Sequence, residues 1–279
     1  MKCAWTEFLA VIPPHLRREV DNLGKENLEE LHLRIGQPVE LISYGRSYLL
    51  KTNAGVEDIQ FTVNTASKYS PWSAVSISQG YITAPGGHRI GLCGECVVQA
   101  GTVTGIRRAT SICIRVAREF LGIGTKAPKG GSLLILGPPG VGKTTLLRDI
   151  IRLRSHAGTT VAVVDERGEL FPDGTIFETG PRTDVLTGCS KACGVQMALR
   201  TMSPKCIAVD EITAAEDCQA LMSAGWCGVD LLATAHAANC TDLHSRKVYQ
   251  PLAESGLFEQ AIVLNRDKSW HMERMELCT

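Results

Sequence analysis

The chain has 279 residues, with 29 Lys and Arg against 29 Asp and Glu, so its formal net charge is zero. That length holds one large domain or two, and the balance of charge excludes a whole-molecule field that would steer it to nucleic acid or to an anionic membrane. Eleven cysteines, an odd number spread through apolar contexts, argue against a disulfide framework.

The first twenty residues do not read as a signal peptide. Their short apolar run, Phe8 to Ile12, is stopped by Pro13-Pro14 and a charge cluster. No run of 18 apolar residues occurs, so no membrane-spanning helix is expected. Residues 5–26 read as helical, with Leu9, Ile12 and Leu16 on one side and a new helix begun at the proline pair. The alternation of Leu31, Leu33 and Ile35 predicts a strand over 30–35. Gly36-Gln37-Pro38 predicts a turn, and 39–42 the partner strand. Residues 43–56 resemble another hairpin. An apolar stripe predicts a helix over 61–74 with Tyr69 and Trp72 among its core residues. Strands over 80–84 and 88–98 flank the turn Pro85-Gly86-Gly87, and two short strands follow at 102–106 and 111–117. Together these make a small α/β N-terminal domain, residues 1–120.

Four glycines between 122 and 131 mark a connection, and the second domain runs over 121–279. Its strand candidates are 133–136, 160–164, 206–209, 230–233 and 260–264, and its helix candidates 143–156, 192–201, 214–225 and 240–254. Strand and helix alternating at these spacings predict a parallel central sheet with helices on both faces.

The stretch from Gly137 to Thr145, with Pro138, Pro139, Gly140, Val141, Gly142, Lys143 and Thr144 between, follows an apolar run and opens a helix. That context is the one a phosphate-binding loop needs. Glycines let consecutive N–H groups curl around phosphate oxygens, and the helix N-terminus adds partial positive charge. Lys143 would reach the β and γ phosphates, and Thr144 would hold Mg2+ through its hydroxyl. No guanine-recognition motif is present, so ATP is the expected nucleotide.

The run 206–209 ends in Asp210-Glu211, which sets two carboxylates at the C-terminal edge of the expected sheet, where such folds bind ligands. Asp210 would contact Mg2+, and Glu211 is a candidate base for the attacking water. A second strand ends in Asp165-Glu166, and Glu166 is the alternative base, or these acids cap the next element. A third ends in Thr234-Ala235-His236, offering a hydroxyl and an imidazole to the γ phosphate. Cys93-x-x-Cys96 supplies two ligands where structural zinc needs four, and reads as small buried thiols. Arg89 and Arg115 are candidates to meet the transferring phosphoryl group, or else solvated strand residues. Scarce aromatics and nil net charge argue against nucleic acid as the partner of the arginines around 107 and 108.

Taken together, GPPGVGKTTLLRD, VVDERGEL, GPRTDVLTGC, RTMSPKCIAVDEI and LLATAHA, with LRIGQPVEL and GHRIGLCGE in the first domain, resemble the stage III sporulation protein AA family. These are mother-cell ATPases of endospore-forming bacteria, related to the secretion and pilus-motor ATPases. The resemblance covers nearly the whole chain. It implies a RecA-like P-loop NTPase core behind the N-terminal domain, and a ring, a homo-hexamer, with ATP between neighbours. It also implies a cytoplasmic position at the inner face of the mother-cell side membrane, with integral membrane proteins as partners. By motif, Gly137 to Thr145 would be the Walker A loop and Asp210-Glu211 the Walker B acids. Asp165-Glu166 would match the acidic box of the secretion ATPases, Thr234 and His236 their histidine box, and Arg89 and Arg115 their N-domain arginines.

Overall fold

The computed structural model describes residues 1–67, 80–172 and 176–275. The chain divides into two compact units, Met1–Glu119 with Pro172–Phe177, and Phe120–Phe171 with Glu178–Thr279.

In the first unit, α1 (Trp5–Val11) and α2 (Arg17–Leu23) are separated by the proline pair, which cannot continue a helix. Strands β1 (Leu28–Arg34), β2 (Pro38–Ser43) and β3 (Arg46–Asn53) follow, then α3 (Val56–Ser67). The expected separate hairpin at 43–56 is a single strand, because β3 pairs back on β2. The helix expected at 61–74 begins at Val56, where Asp58 accepts the Gly55 N–H; Tyr69 and Trp72 lie outside the described residues. β4 (Tyr81–Ala84) and β5 (His88–Gln99) enclose the glycine turn. The two short strands expected beyond it are one, β6 (Thr102–Arg115), paired with β5 along its whole length through three register shifts. The sheet order is β3-β2-β1-β6-β5-β4, antiparallel at every pairing.

Phe8, Ile12, Leu16 and Ile59 share one core with Leu31, Leu33, Leu41, Ile90, Ile112 and Ile114. Helices therefore cover one face of this sheet. The residues alternating with that core, such as Arg34 and Arg115, are exposed. His88 is fully buried; its Nε2–H donates to the Ala4 carbonyl at 2.9 Å, and its Nδ1 accepts the Ala117 N–H at 3.0 Å. Burial holds this imidazole below the usual histidine range, which matches a neutral ring with one donor and one acceptor. Cys93 and Cys96 are exposed free thiols, not the buried ones expected.

The second unit is built on β7 (Leu133–Leu136), α4 (Lys143–His156), β8 (Val161–Asp165), β9 (Thr183–Thr187), α5 (Lys191–Thr201), β10 (Cys206–Val209), α6 (Ala215–Trp226) and β11 (Asp230–Ala235). It ends in α7 (Cys240–Ser245), α8 (Gln250–Glu254), β12 (Gln260–Leu264) and β13 (Trp270–Arg274). Its sheet runs β13-β12-β7-β11-β10-β8-β9, parallel throughout except for the antiparallel edge strand β13. The sheet is mostly parallel, as expected, and it has two edge strands, β9 and the antiparallel β13, beyond the five expected. The helix expected over 240–254 is two, because Arg246 takes an extended conformation (ψ 112°) and Pro251 can only sit in a helix's first turn.

α5 and α6 share a core with Leu134, Leu136, Ile207, Val209, Leu231 and Ala233. α4 packs on β7, β8 and β11 from the opposite face and buries Leu146, Leu147, Ile150 and Ile151. Each such side chain is worth about 1.5–3 kcal/mol in area removed from water, which anchors the helix whose first residue is Lys143.

Candidate nucleotide site

Six sequence-predicted residues, Lys143, Thr144, Asp210, Glu211, Thr234 and His236, meet at the C-terminal ends of β7, β10 and β11. β7 is buried at every residue and delivers the chain into the glycine loop. A Cβ at Gly137 would meet Val141 Cγ2 at 2.9 Å and the Leu264 carbonyl oxygen at 3.0 Å. Gly140 and Gly142 take φ of 76° and 105°, where side chains are disfavoured. Pro138 is half-buried and Pro139 exposed, Val141 is buried against the loop's base, and Thr145 lies half-buried in the first turn of α4.

Lys143 is 6% exposed, and its ammonium donates to the Gly137 and Pro138 carbonyls, each at 2.9 Å, and to His236 Nδ1 at 3.0 Å. Burial pulls this ammonium below the usual lysine range, against the opposing pull of Asp210 and Glu211. A lysine ammonium only donates, so His236 Nδ1 is the acceptor and the ring proton sits on Nε2. Nε2 then donates to Glu211 Oε1 at 3.1 Å. Lys143, His236 and Glu211 form one hydrogen-bonded chain.

A second chain runs beside it. The Thr144 hydroxyl donates to Asp210 Oδ2 and the Thr234 hydroxyl to Asp210 Oδ1, both at 2.7 Å. Thr234 is fully buried and its Oγ1 also accepts the Glu211 N–H at 2.8 Å. One hydroxyl on β11 therefore ties the two successive acids of β10's end together. Burial pushes the Asp210 carboxyl above the usual carboxylate range, and the two threonine hydroxyls draw it back. Glu211 stands at φ 52°, in the left-handed region.

Asp165 and Glu166 follow β8. Asp165 turns into the backbone, accepting N–H bonds from Glu169, Leu170 and Phe171 at 2.8, 2.9 and 2.9 Å, so it caps the following turn. Burial lifts its carboxyl to about 6 despite those donors. Glu166 Oε2 accepts from Lys191 Nζ at 2.6 Å. Lys191, buried at the start of α5, was not singled out in the sequence; a lysine in a helix's first turn carries no signal of its own. Glu166, Lys191, Asp210 and Glu211 line one cleft. Tyr249 was missed too. Its hydroxyl donates to the Ile212 carbonyl at 3.1 Å and accepts the His236 N–H at 3.4 Å, and so braces both acid and histidine loops.

Arg89 and Arg115 are in the first unit, directly opposite each other on β5 and β6. Arg89 stacks 4.0 Å over the Tyr81 ring, and Arg115 Nε lies 3.1 Å from Glu30 Oε1.

A mostly parallel sheet covered on both faces, with a glycine loop after β7, acids after β10 and a smaller α/β unit before it, defines a RecA-like P-loop NTPase core. The Legionella pneumophila ATPase DotB superposes with a TM-score of 0.56 at 20% identity, over 94% of this chain and 80% of that one. The pilus retraction motor PilT, solved with ADP, superposes with a TM-score of 0.61 at 17% identity, over 90% and 77%. At those identities the likeness is one of fold. The family model described as sporulation stage III, protein AA matches residues 6–272, and the chain belongs to that family. Stage III sporulation protein AA of Bacillus subtilis (strain 168) is 35% identical over 283 residues, spanning 94% of this chain and 91% of its own length.

Proposed function

We propose that this chain hydrolyses ATP as one subunit of a ring, a homo-hexamer, and that the work drives assembly of, or transport through, an envelope-spanning complex formed during sporulation. The single observation that carries this reading is the pair of hydrogen-bonded chains joining Lys143, His236 and Glu211, and Thr144, Asp210 and Thr234. In this reading residues 1–120 form the N-terminal domain and 121–279 the ATPase domain.

The loop Gly137–Thr145 would cradle the phosphates through its backbone N–H groups, with Lys143 moving from its two carbonyl acceptors to phosphate oxygens. Thr144 and Asp210 offer two hard oxygens 2.7 Å apart, a donor set that suits Mg2+ completed by water and phosphate. That ion would neutralise charge on the β and γ phosphates. Glu211 accepts the water's proton. Its backbone is held by Thr234 and its carboxylate by His236, whereas Glu166 is engaged by Lys191. Arg89 and Arg115 are the proposed arginines for the phosphoryl group. The partners would be integral membrane proteins. Among the described residues no helix is long and apolar enough to cross a membrane, so attachment would run through such partners.

Steady-state ATP hydrolysis measured against protein concentration, with native mass in parallel, tests the reading. Turnover per chain should rise as the hexamer forms, ignore added single-stranded DNA, and vanish together with tight ATP binding in Lys143→Ala. Full activity in a monomer, or strong stimulation by DNA, would overturn the motor in favour of an ATPase acting on nucleic acid.

A further inference from the structure

β1 and β6 lie side by side in the first unit's sheet, with His32 opposite Cys113 and Glu30 opposite Arg115. Glu30 and His32 are two apart on one strand, so both project from one face. It is the face that the helices leave uncovered, since Leu31, Leu33, Ile112 and Ile114 take the core side. Among the described residues these three side chains bring an oxygen, a nitrogen and a sulfur within 4.8 Å of one another.

The separations carry more than proximity. His32 Nε2 is 3.0 Å from Glu30 Oε2, and Cys113 Sγ is 3.6 Å from that oxygen and 3.7 Å from that nitrogen. A tetrahedral zinc ion with Zn–S of about 2.3 Å and Zn–N and Zn–O of about 2.0 Å sets its ligand atoms about 3.5 Å apart along edges that include sulfur, and about 3.3 Å apart along the N–O edge. All three edges of the triangle fall within about 0.3 Å of one face of that tetrahedron. An imidazole–carboxylate pair accounts for one edge, and strand register with an S–H···O bond from Cys113 to Glu30 brings the sulfur to the other two.

We infer that Glu30, His32 and Cys113 form a three-ligand site for Zn2+. Thiolate, imidazole and carboxylate together select a borderline-soft divalent cation over Mg2+ or Ca2+. Three protein ligands leave the fourth position to water. Thiolate and carboxylate balance the ion's charge. The other oxygen of Glu30 faces Arg115 Nε at 3.1 Å, an outer partner that orients the ligand. Coordination through Nε2 puts the ring proton on His32 Nδ1, so Arg34 Nη2, 3.4 Å from Nδ1, turns away while Nη1 stays on Glu40 Oε2 at 2.6 Å. The ion would staple strands 81 residues apart in the chain. This inference does not rest on the proposed ATPase activity.

The test uses the full chain stripped of metal by chelation and titrated with Zn2+ alone against a chromophoric competitor. One tight site per chain is expected. It should weaken more than roughly tenfold, the loss that even an outer partner's removal causes, in His32→Gln and in Cys113→Ser. It should persist in the Cys93→Ser/Cys96→Ser double variant. In the unaltered chain, peptide mapping after alkylation should show Zn2+ protecting Cys113 and not Cys93, a readout independent of how any variant folds. Equal alkylation of Cys113 with and without Zn2+, or tight binding that survives both ligand variants, overturns the site. So does binding that disappears with Cys93 and Cys96.

Discussion

In the second unit β7, β8 and β10 are buried at every residue, whereas in the first unit β2 alternates buried and half-buried positions and β3 is mostly exposed. A parallel sheet covered on both sides has no open face to carry chemistry. Its polar groups emerge where strands stop: Asp165 closes β8, Asp210 and Glu211 follow β10, and His236 follows β11. A sheet covered on one side keeps a free face, and there polar side chains meet by register. Glu30, His32, Cys113 and Arg115 meet that way across β1 and β6. Two sheets in one chain thus gather polar groups by two rules, strand ending and strand pairing.

That contrast fails if strand ending does not govern the chemistry. The largest expected effect is on turnover. Glu211→Gln should slow single-turnover ATP hydrolysis on the order of 10²–10⁴-fold with ATP affinity kept, while Glu166→Gln stays within about tenfold. The reverse result would move the base from the end of β10 to the end of β8.

Next in size is a pH effect peculiar to a buried strand end. Burial lifts the Asp165 carboxyl to about 6 in the fold, above its ordinary value of 3.8. Between those values the folded chain holds a proton that the unfolded chain has lost. Stability from this group is therefore greatest below about pH 4, falls as pH rises toward 6 and is level above, by up to about 3 kcal/mol in all. Urea unfolding of the unaltered chain and of Asp165→Asn, compared from pH 4 to 7, should show that decline in their difference. A flat difference would mean that the three backbone donors fully offset burial.

The smallest effect belongs to the exposed outer end of the first sheet. Arg107 pairs with Glu95 across β5 and β6, with side chains 71% and 51% exposed. Arg107→Ala should change unfolding free energy by less than about 1 kcal/mol. A larger loss would show that this exposed end carries stability that solvent screening should remove.

The two rules also explain what could be read from the amino acids. A strand end is local: an apolar run followed at once by Asp210-Glu211, or by Gly137 to Lys143, announces itself, and those groups come together. β9 and β13 were missed because sheet edges are half-buried and polar, so Thr183–Thr187 and Trp270–Arg274 lack an apolar run. β6 read as two strands because its outer part pairs only with β5, leaving both its faces largely exposed. Register is not local. Nothing near His32 announces Cys113, and the lone hint is the spacing of Glu30 and His32 on one face. Lys191 and Tyr249 were hidden likewise, since each acts through a loop remote in sequence.

Glu211 at φ 52° holds a backbone conformation that glycine or asparagine adopts more cheaply, by about 1 kcal/mol or more for an ordinary side chain. Selection for a sturdier fold alone would favour replacing it. On the role proposed for Glu211, a glutamate there trades thermodynamic comfort for the placement of one carboxylate, so the most stable version of this protein and its most active version would be different sequences.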